Sequence, residues 1–102
     1  MINVLIVDDS LTCRELIKDV LFKDPEINLI GMASNGREAI ELAAKLKPHL
    51  ITMDIDMPFV NGLEAIEHIM AYNPTPILVF TGIPTVAGKG MADKISAELL
   101  FK

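Results

Sequence analysis

The chain is punctuated by apolar runs of four to six residues, too short for buried helices and ended by turn-forming or acidic residues. Val4-Leu5-Ile6-Val7 stops at Asp8-Asp9, Leu50-Ile51-Thr52-Met53 stops at Asp54, and Ile77-Leu78-Val79-Phe80 stops at Thr81-Gly82. Short, continuously apolar runs of this kind suit strands covered on both faces. Between them the period changes. Cys13, Leu16, Ile17, Val20 and Leu21 fall on one helix face, which Asp24-Pro25 closes. A second strand is expected over residues 27–32. Asn35 with Glu38 is a capping-box pattern that opens a helix running to about Leu46, ended by Lys47-Pro48. The third strand spans 50–54. Asn61 with Glu64 repeats the capping pattern, and Leu63, Ile66, Ile69 and Met70 supply that helix's apolar face. Asn73-Pro74-Thr75-Pro76 is a turn before the fourth strand, 77–80. Gly88 and Gly90 weaken any helix over 85–96, and Glu98-Leu99-Leu100-Phe101 reads as a fifth strand.

Strand and helix alternate throughout, which predicts a parallel sheet with helices on both faces. The 102 residues make one domain, and 51 % hydrophobic residues are ample for its core. No apolar run is long enough to span a bilayer, and Met1-Ile2-Asn3 lacks the basic start of a signal peptide, so membrane insertion is not expected and the reading is cytoplasmic. Cys13 is the single cysteine, which rules out an internal disulfide and reads as a buried helical residue. A net charge of −5 repels phosphate backbones, so direct nucleic-acid binding is not expected.

In a parallel sheet all strands point one way, and ligands bind beyond their carboxyl ends. Asp8, Asp9, Asp54, Thr81 and Lys102 all follow expected strands. Three carboxylates gathered at one edge repel each other unless a cation joins them. Mg²⁺ suits such a set, because it takes oxygen ligands and needs only one or two carboxylates beside water and phosphate oxygens. A hydroxyl and an ammonium alongside can hold an incoming anion. The set therefore suits phosphoryl transfer onto Asp54, with a carboxylate as nucleophile. Structural readings stand beside this one. Asp8, Asp9 or Ser10 can each cap the following helix. Thr81 can be an ordinary strand residue and Lys102 a solvated one. His49 and His68 read as surface positions, and Met53, Met57 and Met70 as core filler.

Taken in order, Asp8-Asp9-Ser10, Arg14, Asn35-Gly36-Arg37-Glu38-Ala39, Met53-Asp54-Ile55-Asp56-Met57-Pro58, Asn61-Gly62, Thr81-Gly82 and Lys102 resemble the receiver domain of two-component response regulators. That resemblance implies a flavodoxin-like, doubly wound, five-stranded parallel sheet of order 2-1-3-4-5 over residues 1–102, with the family's final helix, and any output domain, beyond the end of this chain. It implies that Asp54 is the phosphorylated aspartate, that Asp9 and Asp8 hold Mg²⁺, and that Asp56 offers its backbone carbonyl to the same ion. Thr81 would hydrogen-bond the phosphoryl group and Lys102 would pair with it. Leu99 stands where the family carries an aromatic switch residue. The implied partners are a histidine kinase as phosphodonor and an output domain or partner protein; an uncovered sheet face leaves room for a dimer. Thr52–Pro58, Ile69-Met70 and Pro74–Ile77 look most like the regulatory domain of chemotaxis methylesterases. On that reading the chain is not itself an enzyme. The alternative is a phosphatase resembling the haloacid dehalogenases, with Asp54 as nucleophile and Asp56 as general acid and base. Its acidic metal pair, however, should lie downstream of the nucleophile, and here it lies upstream. A nucleotide-binding module is disfavoured, since no glycine-rich loop follows the first strand.

Overall fold

A computed structural model describes residues 1–54, 62–80 and 97–100, the side chains of Phe80 and of 97–100 excepted. The elements run β1 (Ile2–Val7), α1 (Leu11–Leu21), β2 (Ile27–Ala33), α2 (Gly36–Leu46), β3 (Leu50–Asp54), α3 (Gly62–Tyr72), β4 (Ile77–Phe80) and β5 (Ala97–Leu100). The sheet order is β2-β1-β3-β4-β5, as expected from the sequence. From β2 to β4 every pairing is parallel.

The pleat divides the strand residues between two cores. Leu5, Val7, Ile51, Met53, Ile77 and Val79 face α2 and α3, where Ala39, Ala43, Ala65, Ile66 and Ile69 meet them. The alanines let α2 and α3 approach the sheet closely. Val4 and Ile6 face the other way, onto Ile17 and Leu21 of α1. Full burial of an isoleucine such as Ile17 stabilises by about 1.5–3 kcal/mol. Between Val4 and Leu5 the register with β2 slips, so that Leu5 pairs with Gly31 rather than Ile30. Gly31 leaves room for two leucines: a Cβ would lie 2.9 Å from Cδ1 of Leu46, whose tip would have to shift, and 3.4 Å from Cδ1 of Leu5.

Two differences from the sequence reading stand out. First, β5 runs antiparallel to β4, pairing Phe80 with Ala97 and Ile77 with Leu100. A parallel return needs a crossover, usually a helix, to carry the chain back along the sheet, whereas an antiparallel return needs none. Second, only part of the apolar stripe of α1 is covered. Ile17 is buried, but Leu16 and Val20 are exposed.

Thr52 sits on the α1 face of β3, 1 % exposed, and among the described residues its Oγ1 has no hydrogen-bond partner. A buried hydroxyl without a partner is destabilising, and valine has the same shape without it. Thr52→Val is therefore expected to raise the urea midpoint, by about 1 kcal/mol in stability. A fall of that size would mean that the hydroxyl has a partner that matters.

Candidate functional site

Register carries the acidic residues to one place. Ile6 pairs with Thr52 and Val7 with Met53, so the next residues, Asp8 and Asp54, leave adjacent strands side by side. β1 continues through α1 to β2 on one side, while β3 lies on its other side. The gap between β1 and β3 is thus the point where strand order reverses, the usual ligand crevice of such sheets. One carboxylate oxygen from each of Asp8, Asp9 and Asp54 lies within 4.8 Å of the others. Asp8 is fully buried and Asp54 is 3 % exposed, whereas Asp9 is open to solvent. Two carboxylates are held at depth and the third stands at the mouth. Three hard oxygen donors this close fit a small divalent cation.

The backbone around Asp8 is tightly held. Its N–H donates to the Ala33 carbonyl at 3.1 Å, tying the end of β1 to the end of β2. Its Oδ1 accepts from the Ser10 N–H at 2.9 Å. Ser10 is the N-cap of α1, its Oγ accepting from the Cys13 N–H at 3.2 Å. The capping role open to Asp8, Asp9 or Ser10 thus falls to the serine, which leaves the two aspartates for the pocket. Arg14, one turn into α1, donates from Nη1 to the Asp8 carbonyl at 2.7 Å. Sequence reasoning placed Arg14 in the motif and assigned it no task; a lone arginine in a helix carries no signal of which carbonyl it will reach.

At the start of α2, Asn35 caps the helix, its Oδ1 accepting from the Glu38 N–H at 2.9 Å. The Glu38 carboxylate reaches back to the Ser34 N–H at 2.8 Å and to the Ser34 hydroxyl, one residue beyond the usual capping-box partner. These two bonds hold its carboxyl below the ordinary value of 4.5, with the Arg14 charge adding to them and slight burial opposing. A lowered folded-state pKa means that the contribution is complete above the unfolded value and is lost as pH falls through the lowered one. Glu38→Gln is therefore expected to lower stability at neutral pH and to narrow that gap below pH 4.5, in paired denaturation curves. A gap that widens on acidification would reverse the assignment.

Thr81, Asp56 and Lys102 lie outside the described residues, as do Met57 and Asn61. Thr81 directly follows Phe80, which pairs with Asp54. The expectation that all five strands end at one edge is corrected by β5. Ala97 is the β5 residue at the Asp54 edge, and Leu100 lies opposite Ile77, at the starting end of β4. His49 and His68 are surface residues as expected. The His49 Nδ1 accepts from the Asn3 N–H at 2.9 Å, and the His68 ring lies 4.7 Å from that of Tyr72. Met53 is fully buried and Met70 packs against the same core.

Comparison with known families decides what this pocket belongs to: the description "response regulator receiver domain" matches residues 4–97. The chain belongs to the receiver family. Protein-glutamate methylesterase/protein-glutamine glutaminase 1 of Shewanella denitrificans is 46 % identical over 99 residues, covering 97 % of this chain and 26 % of that protein. This receiver therefore spans about a quarter of the curated relatives it matches. Among solved structures, the response regulator domain of Thermotoga maritima CheB superposes with a TM-score of 0.79 at 41 % identity, covering 85 % of this chain and 65 % of that one. A Borrelia burgdorferi CheX-CheY-BeF3-Mg²⁺ complex matches with a TM-score of 0.66 at 31 % identity, over 71 % of this chain and 55 % of that chain. The receiver is homologous to the regulatory domain of the methylesterases, and nothing in these likenesses supports the phosphatase alternative. Among the described residues no helix is long and apolar enough to cross a membrane.

Proposed function

We propose that this receiver accepts a phosphoryl group on Asp54 from the phosphohistidine of a partner kinase, with Mg²⁺ held by Asp8, Asp9 and Asp54. The observation that carries this reading is the convergence of those three carboxylates at the β1/β3 crevice, with one oxygen of each within 4.8 Å of the others. A phosphoryl group and its leaving group can enter past Asp9, the exposed member. A carboxylate oxygen of Asp54 attacks phosphorus, the phosphorus–nitrogen bond to the kinase histidine breaks, and the imidazole nitrogen departs with the electron pair. With a proton on its other ring nitrogen the imidazole leaves neutral, so the products are an acyl phosphate on Asp54 and a neutral histidine on the kinase. Mg²⁺, when bound, neutralises charge on the transferring oxygens. Asp8 and Asp9 hold that ion, and burial of Asp8 and Asp54 keeps the electrostatics undiluted by water.

Asp56 would add its backbone carbonyl to the ion, and Thr81 would hydrogen-bond the bound phosphoryl group from the end of β4. Lys102 would pair with that group. The modification adds about −1.5 to −2 charges at the edge of the sheet. It acts by biasing an equilibrium between two arrangements of the receiver. The partner so controlled is proposed to be a protein-glutamate methylesterase domain in the same polypeptide, on the strength of relatives carrying that name.

The test is intact-mass spectrometry after incubation with a small phosphodonor, with Mg²⁺ or with EDTA. One phosphoryl group, acquired only with Mg²⁺ and lost again on standing, is expected. Equal labelling in EDTA would remove the ion from the proposal, and no labelling at all would remove the acceptor.

A further inference from the structure

The peptide between Asp8 and Asp9 is the joint on which two of the three pocket carboxylates turn. Its position is set from three sides. The Asp8 N–H is tied to β2, the Asp8 carboxylate to the Ser10 N–H, and the Asp8 carbonyl to Arg14 at 2.7 Å. The first two bonds act on the Asp8 N–H and side chain; the third acts on the carbonyl that defines the peptide plane. The donor is charged and the side chain half-buried, which makes this bond both strong and directional. The charge of the same guanidinium also helps to lower the Glu38 carboxyl at the start of α2.

We infer that Arg14 is a positioning residue for the divalent ion: it fixes the Asp8–Asp9 peptide so that both carboxylates face Asp54. The inference rests on the reading of Asp8, Asp9 and Asp54 as the Mg²⁺ site. Two effects of opposite sign meet in this residue. A guanidinium near a cation site repels the cation, so by charge alone its removal tightens Mg²⁺ binding. As a clamp on the peptide, its removal loosens the ligands and weakens binding. Partners that orient metal ligands cost roughly 10–100-fold in affinity when lost. The sign of the change therefore separates the two roles.

The experiment is calorimetric titration of EDTA-stripped chain with Mg²⁺, for the wild type, Arg14→Gln and Arg14→Lys. Each is measured below its own melting midpoint, which is determined in EDTA. Arg14→Gln is expected to raise the Mg²⁺ Kd about tenfold. Arg14→Lys keeps the charge and a donor but not the planar fork, and should fall between the two. Mg²⁺ binding by Arg14→Gln as tight as wild type, or tighter, overturns the inference, and so does a lowered melting midpoint with an unchanged Kd. Should the glutamine variant not fold, the lysine variant decides: its Kd must rise. A wild type that binds no Mg²⁺ overturns the metal-site reading itself, a result distinct from failure of the Arg14 role.

Discussion

Asp54→Asn is expected to abolish phosphoryl labelling while leaving the chain folded. Asparagine matches aspartate in shape, so the buried position at the end of β3 stays filled. Its amide lacks the anionic oxygen that attacks phosphorus. The substitution also removes one of three carboxylates packed within 4.8 Å, which relieves like-charge repulsion when no cation is bound. The variant should therefore melt no lower than the wild type in EDTA. Loss of label cannot then be ascribed to unfolding. The measurement is intact-mass spectrometry with a parallel circular-dichroism melt. Label retained on Asp54→Asn would move the acceptor to another residue, with Asp8 and Asp9 the nearest candidates.

The largest effect on stability is expected at Leu5. It lies fully buried at the centre of β1 and belongs to the core shared with α2 and α3. Its register partner is Gly31, where Cδ1 of Leu5 and Cδ1 of Leu46 occupy the space that a side chain would fill. Truncation to alanine opens a cavity that the glycine has no atoms to enter. Leu5→Ala should cost about 2–5 kcal/mol. Small domains have about 5–15 kcal/mol in total, so the variant stands near its unfolding threshold. A urea series against Ile17→Ala, on the smaller α1 side, gives the comparison. A loss under 1 kcal/mol at Leu5, against the ~2–5 kcal/mol expected, would show that the α2 and α3 core collapses freely around the gap.

Both expectations draw on features that differ in how visible they are along the chain. The strand–helix rhythm was legible because short, continuous apolar runs and a 3.6-residue period are both local signals. The two aspartate sites were legible because an acidic residue directly after an apolar run has few other reasons to be there. The stop at Lys47-Pro48 was legible for a similar reason: Lys47 ends α2 in the left-handed region at φ 49°, and proline cannot continue a helix. The extent of α1 burial was not legible, since a wide apolar stripe says nothing about how much sheet lies beneath it. The choice of Ser10 as cap depended on where the Cys13 N–H points, a matter of turn geometry.

Local pattern by itself determined the element order and the identity of the carboxylates at positions 8, 9 and 54, because each depends on residues close in sequence. Tertiary structure alone decided that β5 returns antiparallel, that the β2 register slips opposite Leu5 and that Arg14 grips the Asp8 carbonyl. Those outcomes depend on distances between elements, which are set only when the sheet closes around its two cores.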